Sequence, residues 1–176
     1  MRHVWVFMLA ALIAAPAFAQ EDVSAFGPEK GDWQLTLGGA GSNDNDFDTG
    51  DFSVNGTLGY FYTDEWKVSL RQSASWNGGE GVEDQDNYET LIAANYFFDM
   101  GRWQPFVGGN IGYIYGDNVD DTWAAGPEAG VHYYALEDTF VFGRVAYEFY
   151  FDEADDADDA FDDGEFLYTL GIGFNF

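Results

Sequence analysis

Three arrangements of reactive side chains stand out in this chain. The first is a set of charges placed singly along otherwise uncharged stretches: Lys67 and Arg71, Glu89, Glu128, Arg144 with Glu148, and Glu165. Three are positive and four negative in a chain of formal net charge -26, so they come close to balance where the rest does not. Near balance of this kind is the signature of an ion-pair network. The second is an acidic run holding eight carboxylates from Asp152 to Asp163 and no basic residue. Asp152, Glu153, Asp155, Asp156, Asp158 and Asp159 offer hard oxygen ligands, the chemistry of weak, multivalent Ca²⁺ or Mg²⁺ binding; the simpler reading is a solvated, repulsive loop. A fainter metal pattern, Asp44, Asp46 and Asp48 before Gly50, departs from a calcium loop because the glycine comes one place late and Asn55 stands where the bidentate Glu belongs. The third is His132, two residues before Tyr134. A histidine base needs a nucleophile within hydrogen-bond reach, and the sequence puts no serine, threonine or cysteine beside it.

The elements that must position these groups are strands. In Glu165 to Phe176, EFLYTLGIGFNF, every second residue back from Phe176 is large and apolar, and the other face is small or polar except for Leu167. A period of two means a strand with two environments. The same alternation runs through Trp33–Gly41, Phe52–Tyr62, Trp66–Trp76, Tyr88–Phe98, Trp103–Tyr115, Trp123–Leu136 and Thr139–Phe151. It places the isolated charges on the polar face, and His132 there too, as a luminal hydrogen-bonding residue. Short turns (63–65, 99–102, 137–138) alternate with longer acidic loops. About 11 residues at about 3.3 Å each, tilted by about 40°, rise roughly 27 Å, the height of a membrane-spanning strand's apolar band.

Composition narrows the alternatives. Arg2, the apolar run Val4 to Ala15 and the triplet Ala17, Phe18, Ala19 read as a signal peptide over 1–19, cleaved before Gln20. Residues 20–31 are polar and without period, which predicts a loose periplasmic lead, and 32–176 is left for one domain. There is no cysteine, so an exported chain relies on its strand ladders and not on cross-links. The acidic excess excludes a nucleic-acid partner, since phosphate binding needs basic patches. Aromatic content of 19% argues against disorder. Trp33, Trp66 and Trp103 fall near the short turns and Trp76 and Trp123 near the long loops, as two interface girdles require. The expected fold is all-β: an eight-stranded antiparallel up-and-down transmembrane β-barrel with a side-chain-filled lumen. A soluble eight-stranded barrel would have to hide all these apolar stripes inside.

Three segments carry a resemblance to a known family: YTLGIGFNF at the end, NYFFDMGRWQPFVGGNIGYIYGD from Asn95 to Asp117, and GPEAGVHYYALEDTFVFGRVAYEFY from Gly126 to Tyr150. In these the chain resembles the small outer-membrane β-barrels that include the OmpA transmembrane domain and OmpX. The resemblance implies an outer-membrane location, surrounding outer-membrane lipids, and recognition by the barrel-assembly machinery of the terminal signal Tyr168, Leu170, Ile172, Phe174 and Phe176. It implies a non-enzymatic role in envelope structure or surface contact, with no cofactor beyond weak divalent cations and with the partner of the loops undefined. The alternatives it brings are a lipid A-modifying barrel enzyme and a small gated pore. Against the first, the deacylase pattern has a serine two residues after its histidine, where this chain has Tyr134.

Overall fold

A computed structural model of the chain describes residues 26–43, 49–79, 85–116, 122–151 and 165–176. They form eight strands: β1 (Trp33–Asn43), β2 (Thr49–Phe61), β3 (Trp66–Gly79), β4 (Gln85–Phe97), β5 (Trp103–Gly116), β6 (Thr122–Tyr134), β7 (Thr139–Phe151) and β8 (Glu165–Asn175). Each is antiparallel to its neighbours, and β8 returns to β1 to close the barrel. The signal-peptide reading of 1–19 and the acidic stretch 152–164 lie outside the described residues.

Alternation sets the faces as the pattern predicts. Leu58, Leu70, Ile92, Ile111, Val141 and Leu170 stand exposed on the outer wall, while Gln34, Thr57, Arg71, Asn95, Glu128 and Thr169 are buried in the lumen. Aromatic pairs ring the outer wall at both ends. Near the short turns Trp33 meets Tyr60, Trp66 meets Tyr96 and Trp103 meets Tyr133, with centroids 5.2, 5.3 and 4.7 Å apart. Near the long-loop end Tyr88 stacks on Tyr115, Tyr113 meets Trp123 and Tyr147 meets Phe166. The short turns are tight: Thr63 Oγ1 accepts from the amide of Trp66, and Gly101, at φ 71°, takes a left-handed conformation that a side chain would strain.

Two expectations need correction. The strands run further toward the long loops than alternation indicates: β2 begins at Thr49, β3 continues to Gly79 and β4 begins at Gln85. Thr49–Asp51, Asn77–Gly79 and Gln85–Asp86 are all small or polar, so the ladder continues where the hydrophobic alternation disappears. The segment before β1 is not loose over its last residues. Pro28 is buried, Phe26 packs against Tyr134, Phe140 and Phe142, and Gln104 Nε2 donates to the Phe26 carbonyl at 3.2 Å. The Arg102 guanidinium sits 4.0 Å from the Phe26 ring centroid. At its other end the Gly31 amide donates to Phe61 O and the Lys30 amide to Asp64 Oδ1. Residues 26–32 therefore cross the short-turn mouth from β2 to β5 as a strap. Gly27 is required there, because its φ is 108° and an added Cβ would collide with the Gln104 amide.

The closing seam differs from the other ladders. β1 and β8 are in register from Gln34↔Asn175 to Gly39↔Leu170 and, among the described residues, no further. Yet β1 stays paired with β2 to Asn43↔Gly50, and β8 with β7 to Glu148↔Glu165. The seam is thus stitched at its short-turn half, where the Trp33 and Phe176 backbones exchange two hydrogen bonds at 2.9 and 2.8 Å.

Candidate functional site

Among the described residues the barrel gathers its polar chemistry in the lumen, in layers. Lowest, above the strap, lies a layer of rings: Phe61, Phe97 and Phe106 in one cluster, Tyr134, Phe140 and Phe142 in another. His132 joins them, 2% exposed, stacked on Phe140 with centroids 4.1 Å apart at 14°, and its Nδ1 has no hydrogen-bond partner. The expectation of a hydrogen-bonding luminal histidine gives way at Nδ1 to a ring packed among rings. No serine or cysteine borders it in these contacts, and its neighbour at two residues, Tyr134, is a buried hydroxyl engaged by Asn175 Nδ2 at 2.9 Å.

Lys67 rises into this layer. Its Nζ donates to Gln34 Oε1 at 2.8 Å and lies 4.9 Å from the Phe97 centroid, with Phe61 and Phe106 each at 6.0 Å. An ammonium withdrawn from water is stabilised by ring faces as well as by hydrogen bonds. Gln34 Nε2 in turn donates to Asn175 Oδ1 at 2.9 Å, so a polar chain from Lys67 through Gln34 and Asn175 to Tyr134 crosses β3, β1, β8 and β6.

Two inward positions further along β3 is the central ion pair. Arg71 Nη2 meets Glu128 Oε2 at 3.0 Å from across the lumen, both side chains almost wholly buried. Glu128 also accepts from Asn95 Nδ2 at 2.6 Å and Asn110 Nδ2 at 3.2 Å, so each carboxylate oxygen has two donors. Arg144 Nη2 donates to Thr169 Oγ1 at 2.8 Å. Between the ring layer and this pair is a cavity of about 20 Å³, lined in part by Lys67, Arg71, Glu128, His132 and Arg144. Such a space holds about one water molecule, not a solute. Toward the long-loop end, Glu89 accepts from Ser73 Oγ at 3.1 Å, and Glu148 is buried.

Of the seven charges singled out in the sequence, six have described side chains, and all six project inward. They do not form one continuous network: among the described residues the only ion pair is Arg71–Glu128, and Lys67 and Arg144 rest on uncharged partners. The side chain of Glu165 and the loop carboxylates Asp152 to Asp159 lie outside the described residues. Among those described, no three histidine, cysteine, aspartate or glutamate side chains cluster closely enough to hold a metal. The five terminal-signal residues, Tyr168, Leu170, Ile172, Phe174 and Phe176, all stand exposed on the outer wall. The luminal rings are what sequence reasoning missed. Their signal is a local failure of alternation in YFF (96–98) and FVF (140–142), where both faces are apolar because one meets the membrane and the other the plug.

A family model for the outer membrane protein beta-barrel domain matches residues 5–176. The chain belongs to that family. It is an outer-membrane protein, and its fold agrees with those of solved barrels. The N-terminal β-barrel domain of OprF from Pseudomonas aeruginosa aligns at TM-score 0.59 and 20% identity, covering 84% of this chain and 98% of that one. Neisserial surface protein A aligns at 0.59 and 13% identity, covering 82% and 96%, and Ail from Yersinia pestis at 0.52 and 16%, covering 84% and 100%. At these identities the likeness concerns the fold alone. No curated protein sequence matches the chain.

Proposed function

We propose that this outer-membrane barrel is a non-enzymatic, non-conducting scaffold that contributes to envelope structure and presents acidic loops at the cell surface. The observation that carries the reading is the filled lumen: strap, ring layer and central ion pair lie one above another, and the cavity between the ring layer and the pair holds about one water. His132 sits inside the plug and away from lipid, which weighs against a lipid-modifying activity. The outer wall meets outer-membrane lipids, the exposed stripe of Tyr168 to Phe176 is the face the assembly machinery reads, and the carboxylates of 152–163 attract divalent cations weakly. The test is single-channel recording on the refolded barrel in planar bilayers. A silent bilayer is expected; a large, steady conductance overturns the reading, and brief openings that become more frequent in Glu128→Gln favour a gated pore.

A further inference from the structure

Between the two aromatic girdles, the described outward side chains are apolar, aromatic or glycine except at two positions, Gln72 on β3 and Thr90 on β4. The two stand directly opposite each other in the β3–β4 ladder. One outward position toward the short turns, Leu70, Ile92 and Ile111 form an apolar row across β3, β4 and β5. One outward position toward the long loops, Tyr88 stacks on Tyr115 with centroids 5.9 Å apart. A polar side chain in a wall that faces lipid has no water to bond with, so its hydrogens need partners within the protein. Here they have them. Thr90 Oγ1 donates to Gln72 Oε1 at 2.7 Å, and Gln72 Nε2 donates to Tyr115 Oη and to the Ser73 carbonyl, each at 3.3 Å. Tyr115 Oη lies 3.3 Å from Thr90 Oγ1, and since the Thr90 proton goes to Gln72, the Tyr115 hydroxyl is the donor in that contact. Every polar hydrogen of the three side chains is thus spent inside the cluster, while lone pairs remain on Gln72 Oε1 and Thr90 Oγ1. The cluster shows the membrane acceptors and no donors. Leucine and valine in these two places would suit acyl chains better, so stability in lipid does not account for it.

We propose that Gln72, Thr90 and Tyr115 form a seat on the outer wall for a membrane lipid that carries hydrogen-bond donors where its acyl chains begin: an amide N–H or an acyl-chain hydroxyl. The position suits that group, because girdle aromatics sit at the level of the headgroups and the cluster lies just inside them. The ester linkages of ordinary phospholipids offer only carbonyl acceptors at this depth and would set acceptor against acceptor. Amide-linked, hydroxylated chains, as in lipid A, supply the missing hydrogens. The row Leu70, Ile92 and Ile111 would lie along such a chain, with the stacked tyrosines beside its polar end. The proposal rests on the wall facing lipid and is independent of whether the lumen conducts.

The experiment is urea unfolding of the mature chain in phosphatidylcholine vesicles that contain increasing fractions of lipid A or, as the control, of phosphatidate, which is also anionic but has neither amide nor acyl hydroxyl. A lipid that binds only the folded barrel raises the unfolding midpoint by mass action. The expected result is a saturating rise with lipid A and none with phosphatidate. The rise should be lost in Gln72→Leu with Thr90→Val and kept in Tyr133→Phe, which removes a hydroxyl at the opposite girdle. Three results overturn the proposal: no rise with lipid A, an equal rise with phosphatidate, or a rise undiminished in the double variant. A fourth also does so: a midpoint that follows the density of protein in the bilayer and not its lipid A content, which would make the patch a contact between copies of the chain. Folding of each variant is read from its shift in gel mobility on heating. Should the double variant not fold, Tyr115→Phe takes its place; it frees a Gln72 hydrogen to face the lipid, so the response to lipid A must fall, and an undiminished response refutes the seat equally. A conducting lumen would leave all these readings unchanged, so this proposal and the closed scaffold fail separately.

Discussion

Replacing Glu128 by Gln keeps the shape of the side chain and removes its charge, which isolates what the central ion pair contributes. The Glu128 carboxylate is 1% exposed and faces the 4% exposed Arg71 guanidinium at 3.0 Å, so neither charge has water to fall back on. Removing one partner of a buried pair leaves the other uncompensated, at a cost of about 3–5 kcal/mol. The new amide nitrogen takes the place of one carboxylate oxygen, so it faces Arg71 and either Asn95 or Asn110; an asparagine can turn its amide to accept, but the guanidinium cannot. For a urea slope of about 2 kcal/mol/M, a loss of about 4 kcal/mol moves the unfolding midpoint by about 2 M. The single variant Arg71→Met is expected to cost a similar amount, having orphaned the carboxylate. Because the two residues act as a unit, Arg71→Met with Glu128→Gln should cost less than the sum of the singles by about 2–3 kcal/mol. Reversible urea unfolding in phospholipid vesicles, followed by tryptophan emission, measures all three. Single losses below about 1 kcal/mol, or a double variant equal to the sum, would refute the view that this pair organises the lumen.

Gly171→Ala should weaken barrel closure by about 1–3 kcal/mol, as overpacking does, because its Cβ would press on the Leu37 carbonyl and the Gly38 backbone across the seam. Gly56→Ala, whose nearest neighbour is the flexible end of Leu37 at 3.8 Å, should stay within about 1 kcal/mol in the same urea assay. Gly27→Ala is expected to release the strap: amide exchange at Gly27 and Gly31 should rise sharply in hydrogen-exchange mass spectrometry while strands β2 to β7 stay protected, and unchanged exchange would count against docking. Phe176→Ala keeps the backbone bonds to Trp33 and removes only an exposed ring, so membrane insertion in cells should fall several-fold while the vesicle unfolding midpoint barely moves; equal losses in both would deny the ring a separate role in assembly.

Much of this architecture is legible in the sequence because lipid and lumen impose opposite demands on successive residues. Leu170, Ile172 and Phe174 announce a lipid face as clearly as Thr169 and Asn175 announce a polar one, and eight such stretches leave little choice of fold. The same logic finds Lys67, Arg71, Glu128 and Glu148 on the inner face. It fails where a residue's surroundings are set by distant partners. Nothing local distinguishes Lys67, seated among rings, from Arg71, seated on a carboxylate; the difference arises from the rings that β2, β4 and β5 bring to the first and the carboxylate that β6 brings to the second. Phe97 and Phe106 read as breaks in alternation until the two strands bring them face to face, 5.1 Å apart. The strap is invisible for a related reason: Phe26 packs against residues of β5 to β7, more than seventy residues away in the chain.

The seam described above has a mechanical meaning. At the short-turn rim the hydrogen-bonded wall is a complete hoop, so its circumference is fixed by covalent and ladder geometry together. At the opposite rim, among the described residues, the hoop is interrupted between β1 and β8 beyond Gly39 and Leu170. A tube slit along part of its length resists bending but yields to torsion and to splaying at the slit end. The hairpins flanking the slit, β1–β2 and β7–β8, therefore form the two lips of a compliant rim carried on a rigid base.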